Sequence, residues 1–174
     1  MMRFKNIFLV GPMGAGKSTV GRHLAEALSF EFKDSDQEIQ RRTGVDIPTI
    51  FEYEGEEGFR RRERRVIDEL SEQTGIVMAT GGGAVLRPDN RRDLTSQGVV
   101  IYLHCSPEQQ HARTCHDRNR PLLDTEDPLL RLRQLIEERD PLYRQVADMV
   151  VSTEHRGISS VVKEIRRRLE SDVS

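Results

Sequence analysis

Short apolar runs alternate with amphipathic stretches along the whole chain. Asn6 to Val10 (N-I-F-L-V) is rich in β-branched and aromatic residues and reads as a buried strand. Gly11 to Lys17 is a loop, after which Ser18 to Leu28 places Val20, Leu24, Ala27 and Leu28 at helical spacing. Phe30 to Lys33 predicts a second short strand ending in Asp34-Ser35-Asp36. A helix over Gln37 to Arg42 stops at Gly44, and Pro48 opens another through Phe51. A longer helix from Glu56 to about Gln73 carries Phe59, Val66, Ile67 and Leu70 on one stripe. Ile76 to Thr80 is a third strand, followed by Gly81-Gly82-Gly83, and Pro88 starts the next helix. Val99 to Leu103 is a strand and Pro107 to Thr114 a helix. Residues 115–127 form a polar connection. Asp127-Pro128 then has the form of an N-cap and first turn for a helix bearing Leu129, Leu132, Leu135 and Ile136. Met149 to Val151 is a last strand, and Ile158, Val161, Val162, Ile165 and Leu169 mark a C-terminal amphipathic helix.

Strands alternating with helices predict an α/β fold with a parallel sheet covered on both faces. No repeat, linker or low-complexity tract divides the 174 residues, so one domain spanning 1–174 is expected. The chain is long enough to bury a proper core. The 27 basic and 29 acidic residues nearly cancel, which gives no whole-molecule attraction to nucleic acid or acidic lipid. No run approaches the roughly 18–20 apolar residues of a membrane span. The N-terminus runs straight into a glycine-rich loop without a cleavage pattern. Two cysteines make a disulfide framework or a Cys-built zinc site unexpected. A reduced, cytoplasmic protein is the expectation, with Cys105 a small apolar residue at a strand end.

Gly11-Pro12-Met13-Gly14-Ala15-Gly16-Lys17-Ser18 matches G-x-x-x-x-G-K-[ST] between a strand and an amphipathic helix. A chance match in a chain of this size has a probability of about 0.5% at ordinary residue frequencies. Backbone N–H groups of such a loop cradle phosphates, and the helix N-terminus adds partial positive charge. Lys17 would reach the β- and γ-phosphates and Ser18 would ligate Mg²⁺. Neither [NT]-K-x-D nor D-x-x-G occurs, so ATP is favoured over GTP.

Asp34-Ser35-Asp36 follows a strand, where open α/β sheets bind ligands. One carboxylate could hold Mg²⁺ through water and the other orient an attacking hydroxyl; a helix N-cap is the alternative. On the 56–73 helix, taking Phe59 as 0° and 100° per residue, Val66 falls near about −20° and Leu70 near about +20°. Glu63 falls near about +40°, inside the apolar stripe, and Arg60 near about +100°, at its edge. A carboxylate so placed needs a partner, and Arg60 can supply it while presenting its fork to a substrate carboxylate. The alternative is a purely structural ion pair. The other arginines of this helix read as solvated surface. Gly81-Gly82-Gly83 leaves backbone N–H groups open to a ligand, or is simply a flexible strand end. The 115–127 segment has the length of a lid, and its Arg118 and Arg120 either meet the transferred phosphoryl group or are surface residues.

P-loop, D-x-D, F-R-x-x-E, G-G-G, R-P-L-L and R-x-P-L-Y occur in this order, from about Asn6 to Leu169. With these motifs the chain resembles the bacterial shikimate kinases. The resemblance implies a P-loop three-layer sandwich with a five-stranded parallel sheet of order 2-3-1-4-5, helices on both faces, substrate-binding helices over about 36–64 and a lid over about 113–127. It implies ATP-dependent phosphorylation of the 3-hydroxyl of shikimate on the route to chorismate and the aromatic amino acids. It gives Asp34 and Ser18 to Mg²⁺, and makes Asp36 the base, with Lys17 and Arg120 serving the phosphates. Arg60, Arg139 and Gly82 would hold the shikimate carboxylate and ring, Glu63 would assist Arg60, and Phe51 and Phe59 would wall the ring. Gly14, Ala15, Gly16, Lys17, Ser18 and Thr19 would bind ATP phosphates, with Arg113 on adenine. Where some members carry Asn-Pro before the last helix this chain reads His155-Arg156-Gly157-Ile158, which makes Arg156 the ATP-binding candidate on the adenine side. Shikimate and ATP are the expected partners of a monomer, with no nucleic acid and no membrane. A gluconate or nucleoside monophosphate kinase, a nucleotide-binding module without turnover, and an RNA binder built on R-R-R-E-R-R are the competing readings.

Overall fold

β1 (Ile7–Val10) is apolar at every position and fully buried, which requires a sheet neighbour on each side and a layer on each face. β3 (Ile76–Ala79) and β4 (Val99–His104) flank it, with Leu9 level with Ala79 on one side and Ile101 on the other. β2 (Glu31–Asp34) and β5 (Met149–Ser152) are the edges, giving an all-parallel order β2-β3-β1-β4-β5. The edges show their position in sequence: β2 is only partly buried, and β5 alternates buried and exposed residues. The structure, a computed structural model, describes residues 4–116 and 121–171.

The helices are α1 (Lys17–Leu28), α2 (Ser35–Thr43), α3 (Ile47–Ser71), α4 (Pro88–Gln97), α5 (Pro107–Thr114), α6 (Pro128–Val146) and α7 (Ile158–Ser171). The period of two along β1 divides the core. Phe8 and Val10 pack with Ile67, Val85, Leu94 and Tyr143 under α3, α4 and α6. Ile7 and Leu9 pack with Val20, Leu24, Val161 and Ile165 under α1 and α7. The result is the expected helix–sheet–helix sandwich, and the connections leave all functional loops at the carboxyl ends of the strands. Among the described residues no helix is long and apolar enough to cross a membrane.

Local chemistry sets the element ends. Asp46, Ser106 and Asp127 cap α3, α5 and α6 through side-chain oxygens that accept from Thr49, Gln109 and Leu130 N–H groups. The two helices expected at 48–51 and 56–73 are joined into α3, but the break between them is real: Gly55, at φ 72° and ψ 178°, interrupts the helical backbone. α6 runs on through Arg139-Asp140-Pro141-Leu142-Tyr143. Pro141 cannot donate to the Glu137 carbonyl, so one helical bond is lost at Glu137, an exposed residue, without ending the helix. Arg64 corrects the reading of this helix's arginines as free surface. It is partly buried and donates to Asn90 Oδ1 at 3.0 Å and Asp93 Oδ2 at 2.6 Å, clamping α3 to α4.

Candidate active site

The loop between β1 and α1 winds through three glycines at positive φ, Gly11, Gly14 and Gly16, as a phosphate cradle requires. Lys17 Nζ donates to the carbonyls of Gly11 at 2.6 Å and Pro12 at 2.8 Å, which folds the lysine along the loop's inner side. Gly14, Gly16, Lys17, Ser18 and Thr19 line a cleft enclosing about 820 Å³ of empty space, part of it open to solvent. Ala15 instead faces the core, and its N–H closes a turn on the Pro12 carbonyl.

Asp34 divides its two oxygens. Oδ1 accepts from the N–H groups of Asp36 and Gln37 at 3.0 and 3.1 Å, capping α2. Oδ2 accepts from the Ser18 hydroxyl at 2.6 Å. The N-cap, one of the two readings of this turn, is therefore present, and it leaves Oδ2 of the same side chain at Ser18. Ser35, not singled out by motif, is fully buried and accepts from Gly81 N–H at 3.1 Å, tying the D-x-D turn to the glycine run.

A second cleft, with about 520 Å³ of partly open space, lies beside the first. Ile47, Phe51 and Phe59 give it an apolar wall; the two phenylalanine rings sit 5.0 Å apart. Arg60, Arg139, Glu63 and Asp36 supply the charge. Glu63 is fully buried and accepts from Arg60 Nη1 at 2.9 Å, while Arg60 also pairs with Glu56 at 3.3 Å. Burial pushes the Glu63 carboxyl up to about 7; Arg60 opposes this and Asp36 reinforces it. Burial pulls the Arg60 guanidinium down, but Glu63 and Glu56 outweigh it and the net direction is up. Glu63 Oε2 and Arg60 Nε are buried and have no hydrogen-bond partner among the described residues, so the pair retains bonding capacity. Arg139, on α6, is buried and makes no ion pair among the described residues.

Two glycines of the run are crowded by these side chains. A Cβ on Gly81 would stand 2.8 Å from Asp36 Oδ1 and 2.9 Å from Glu63 Oε2. A Cβ on Gly83 would stand within about 2.5 Å of the Arg60 guanidinium. None of the three glycines has positive φ, so at Gly81 and Gly83 crowding by the charged groups, rather than turn geometry, disfavours a side chain, while a Cβ on Gly82 would meet only ordinary contacts. Gly81 N–H is taken by Ser35, whereas no described acceptor takes the N–H of Gly82 or Gly83.

At the far end of the first cleft Arg113 donates to the carbonyls of Gly14 at 2.8 Å and Thr153 at 2.9 Å, joining the phosphate loop to the turn after β5. Arg156 does not line either cleft. Its guanidinium is bonded to Ser152 O, Ser160 and Glu164, fastening the start of α7. Arg118 and Arg120, the arginines of the expected lid, lie outside the described residues. After them, Leu122 and Leu123 pack on Met13, Leu132 and Leu135. Met13 was not singled out from sequence, yet it lines both clefts; its place at a variable position of the loop motif offers no signal.

A phosphate-binding cleft sharing a wall with a carboxylate- and arginine-lined cleft, at the carboxyl ends of a five-stranded parallel sheet, defines a P-loop small-molecule kinase. The family model for shikimate kinase matches residues 13–170. The shikimate kinase of Thioalkalivibrio sulfidiphilus is 59% identical over 167 residues, covering 96% of this chain and 88% of that one. The shikimate kinase of Nitrosococcus oceani is 56% identical over 169 residues, covering 97% and 88%. Shikimate kinase from Acinetobacter baumannii, solved in complex with shikimate, superposes with a TM-score of 0.96 at 50% identity, covering 98% of this chain and 95% of that one. The chain belongs to the shikimate kinase family.

Proposed function

We propose that ATP binds in the P-loop cleft, shikimate in the neighbouring one, and that the γ-phosphoryl group passes between them at their common wall. The reaction is ATP-dependent phosphorylation of the 3-hydroxyl of shikimate, a step toward chorismate and the aromatic amino acids. The observation that carries this reading is that Met13, Asp36, Gly81 and Gly82 line both clefts. A group at Asp36 can therefore meet an acceptor hydroxyl on one side and a phosphoryl group on the other.

In this reading Arg60 and Arg139 hold the acceptor carboxylate, with the Gly82 and Gly83 N–H groups completing the donor set. Phe51 and Phe59 take the ring's apolar face. Asp36 orients the reacting hydroxyl and accepts its proton. Lys17 leaves the loop carbonyls for the β- and γ-phosphates, and Arg113 faces the adenine end. Arg156 serves only by fixing the start of α7. Ser18 Oγ and Asp34 Oδ2, two oxygens 2.6 Å apart beside the phosphate loop, are the hard donors that would hold Mg²⁺. Bound there, Mg²⁺ neutralises charge on the transferred group. The protein's share of catalysis is positioning and charge.

Both clefts are built from one chain, which supports a monomer. The free thiols of Cys105 and Cys115 suit the cytoplasm. The basic run on α3 is largely paired, Arg61 with Glu57, Arg62 with Glu54 and Arg64 with Asp93, which supports neither nucleic acid nor a membrane as partner.

The test is ADP release with MgATP and, in turn, shikimate, gluconate, the nucleoside monophosphates or no acceptor. Turnover confined to shikimate is expected; turnover with another acceptor discards the carboxylate clamp. Asp36→Asn is expected to lower turnover by about 10²–10⁴-fold with little change in the KM for ATP. Wild-type turnover in that variant removes Asp36 from catalysis.

A further inference from the structure

Tyr143 stands behind the acceptor cleft and has no part in the assignments above. It is on α6, four residues after Arg139 and so on the same helix face, and it is 1% exposed. Its hydroxyl donates to the Gly82 carbonyl at 2.6 Å. Its ring packs on Tyr102 at 4.9 Å between centroids. Tyr102 in turn donates to Asp140 Oδ1 at 2.7 Å, and Asp140 Oδ2 accepts from Arg144 at 2.9 Å. This chain of contacts fixes one turn of α6 against β4 and the glycine run at once.

A trans peptide is planar, so anchoring the Gly82 carbonyl sets the direction of the Gly83 N–H on the opposite side of the same peptide unit. A Cβ on Gly82 would stand 3.5 Å from Arg139 Nη1, so the arginine lies beside the glycine run with room for little more than one added carbon between them. We propose that Tyr143 is a positioning residue for the acceptor. Its hydroxyl locks the Gly82–Gly83 peptide and its helix turn sets Arg139 against it, so that an acceptor carboxylate meets backbone and guanidinium donors already in place. This rests on the reading of Arg60, Arg139 and Gly82 as the carboxylate site. Burial pushes the Tyr143 phenol up to about 12, so it remains a donor throughout the working pH range.

Tyr143→Phe keeps the ring and its packing and removes the hydroxyl that anchors the Gly82 carbonyl and meets the Arg139 side chain. The KM for shikimate is expected to rise about tenfold, the effect of one lost buried hydrogen bond, with kcat and the KM for ATP within about twofold. Arg139→Lys keeps the charge but loses the fork, and is expected to raise the same KM. The double variant is expected to show less than the product of the two effects, because one residue acts through the other. A merely structural Tyr143 would lower the melting temperature and leave the KM for shikimate unmoved. That result, together with a raised KM in Arg139→Lys, overturns the positioning role alone. An unmoved KM in Arg139→Lys overturns the carboxylate site on which the role depends.

Discussion

Glu63 sits fully buried in the apolar stripe of α3, and its proton is shared out by the fold. Its ordinary value is 4.5, and burial pushes it up to about 7. Because the folded state holds the proton more tightly, this group's contribution to stability is complete below about pH 4.5 and lost as pH rises through about 7. Glu63→Gln removes that dependence. Denaturant melts at pH 5 and pH 8 are expected to show the variant gaining on the wild type by on the order of 2–3 kcal/mol as pH rises. A pH-independent difference between the two proteins would mean that Arg60 keeps Glu63 ionised throughout. The helical wheel placed Glu63 and Arg60 on neighbouring parts of one face, and their 2.9 Å bond is what that spacing allows. What the wheel could not contain is Asp36, 27 positions earlier, converging on Glu63 across Gly81.

At the scale of elements, two glycine-bearing turns meet different obstacles. Gly11, at φ 144°, would direct a Cβ to 2.4 Å from the Leu103 carbonyl oxygen, a backbone atom in the neighbouring strand that cannot yield. Gly83 has an ordinary φ, and its Cβ would meet the far end of the flexible Arg60 side chain. Gly83→Ala is therefore expected to fold with a melting temperature close to wild type, while raising the KM for shikimate about tenfold by displacing Arg60. Gly11→Ala is expected to lose about 3 kcal/mol or more of stability. Thermal melting beside steady-state kinetics separates the two. A Gly83→Ala enzyme with an unaltered KM would show that Arg60 can move without consequence for the acceptor.

Across the whole molecule, chemistry and support occupy opposite ends of the sheet. The carboxyl ends of the strands carry the phosphate loop, the D-x-D turn and the glycine run, and α3 and α6 bring their arginines to them. Below β1, the fully buried Asn6 gathers the far ends of three elements. Its amide nitrogen donates to the carbonyls of Ser71, Gln73 and Gln97, and its oxygen accepts from Ile76 N–H. Asn6→Ala leaves several of these backbone groups buried and unbonded. It is expected to cost about 2–4 kcal/mol and to lower the melting temperature by roughly 5–15 °C, with both KM values unchanged. A shifted KM would mean that the two ends of the sheet are mechanically coupled.

The sequence by itself determined the alternation of strands and helices, the Asp127 cap, the phosphate loop and the identity of the charged groups around it. Those features are local: a period of two or of 3.6, a proline at a helix start and a run of motif residues are complete within a dozen positions. The tertiary structure alone decided which oxygen of Asp34 caps a helix and which meets Ser18. It also decided why Gly81 and Gly83 carry no side chain, that Arg64 braces α4, and that Arg156 fastens α7. Each of these depends on a partner brought from far along the chain, and no periodicity encodes a contact distance. The parallel sheet supplies it, because strands in register bring Asp34, Ala79 and Leu9 level and so gather the loops after them into one site.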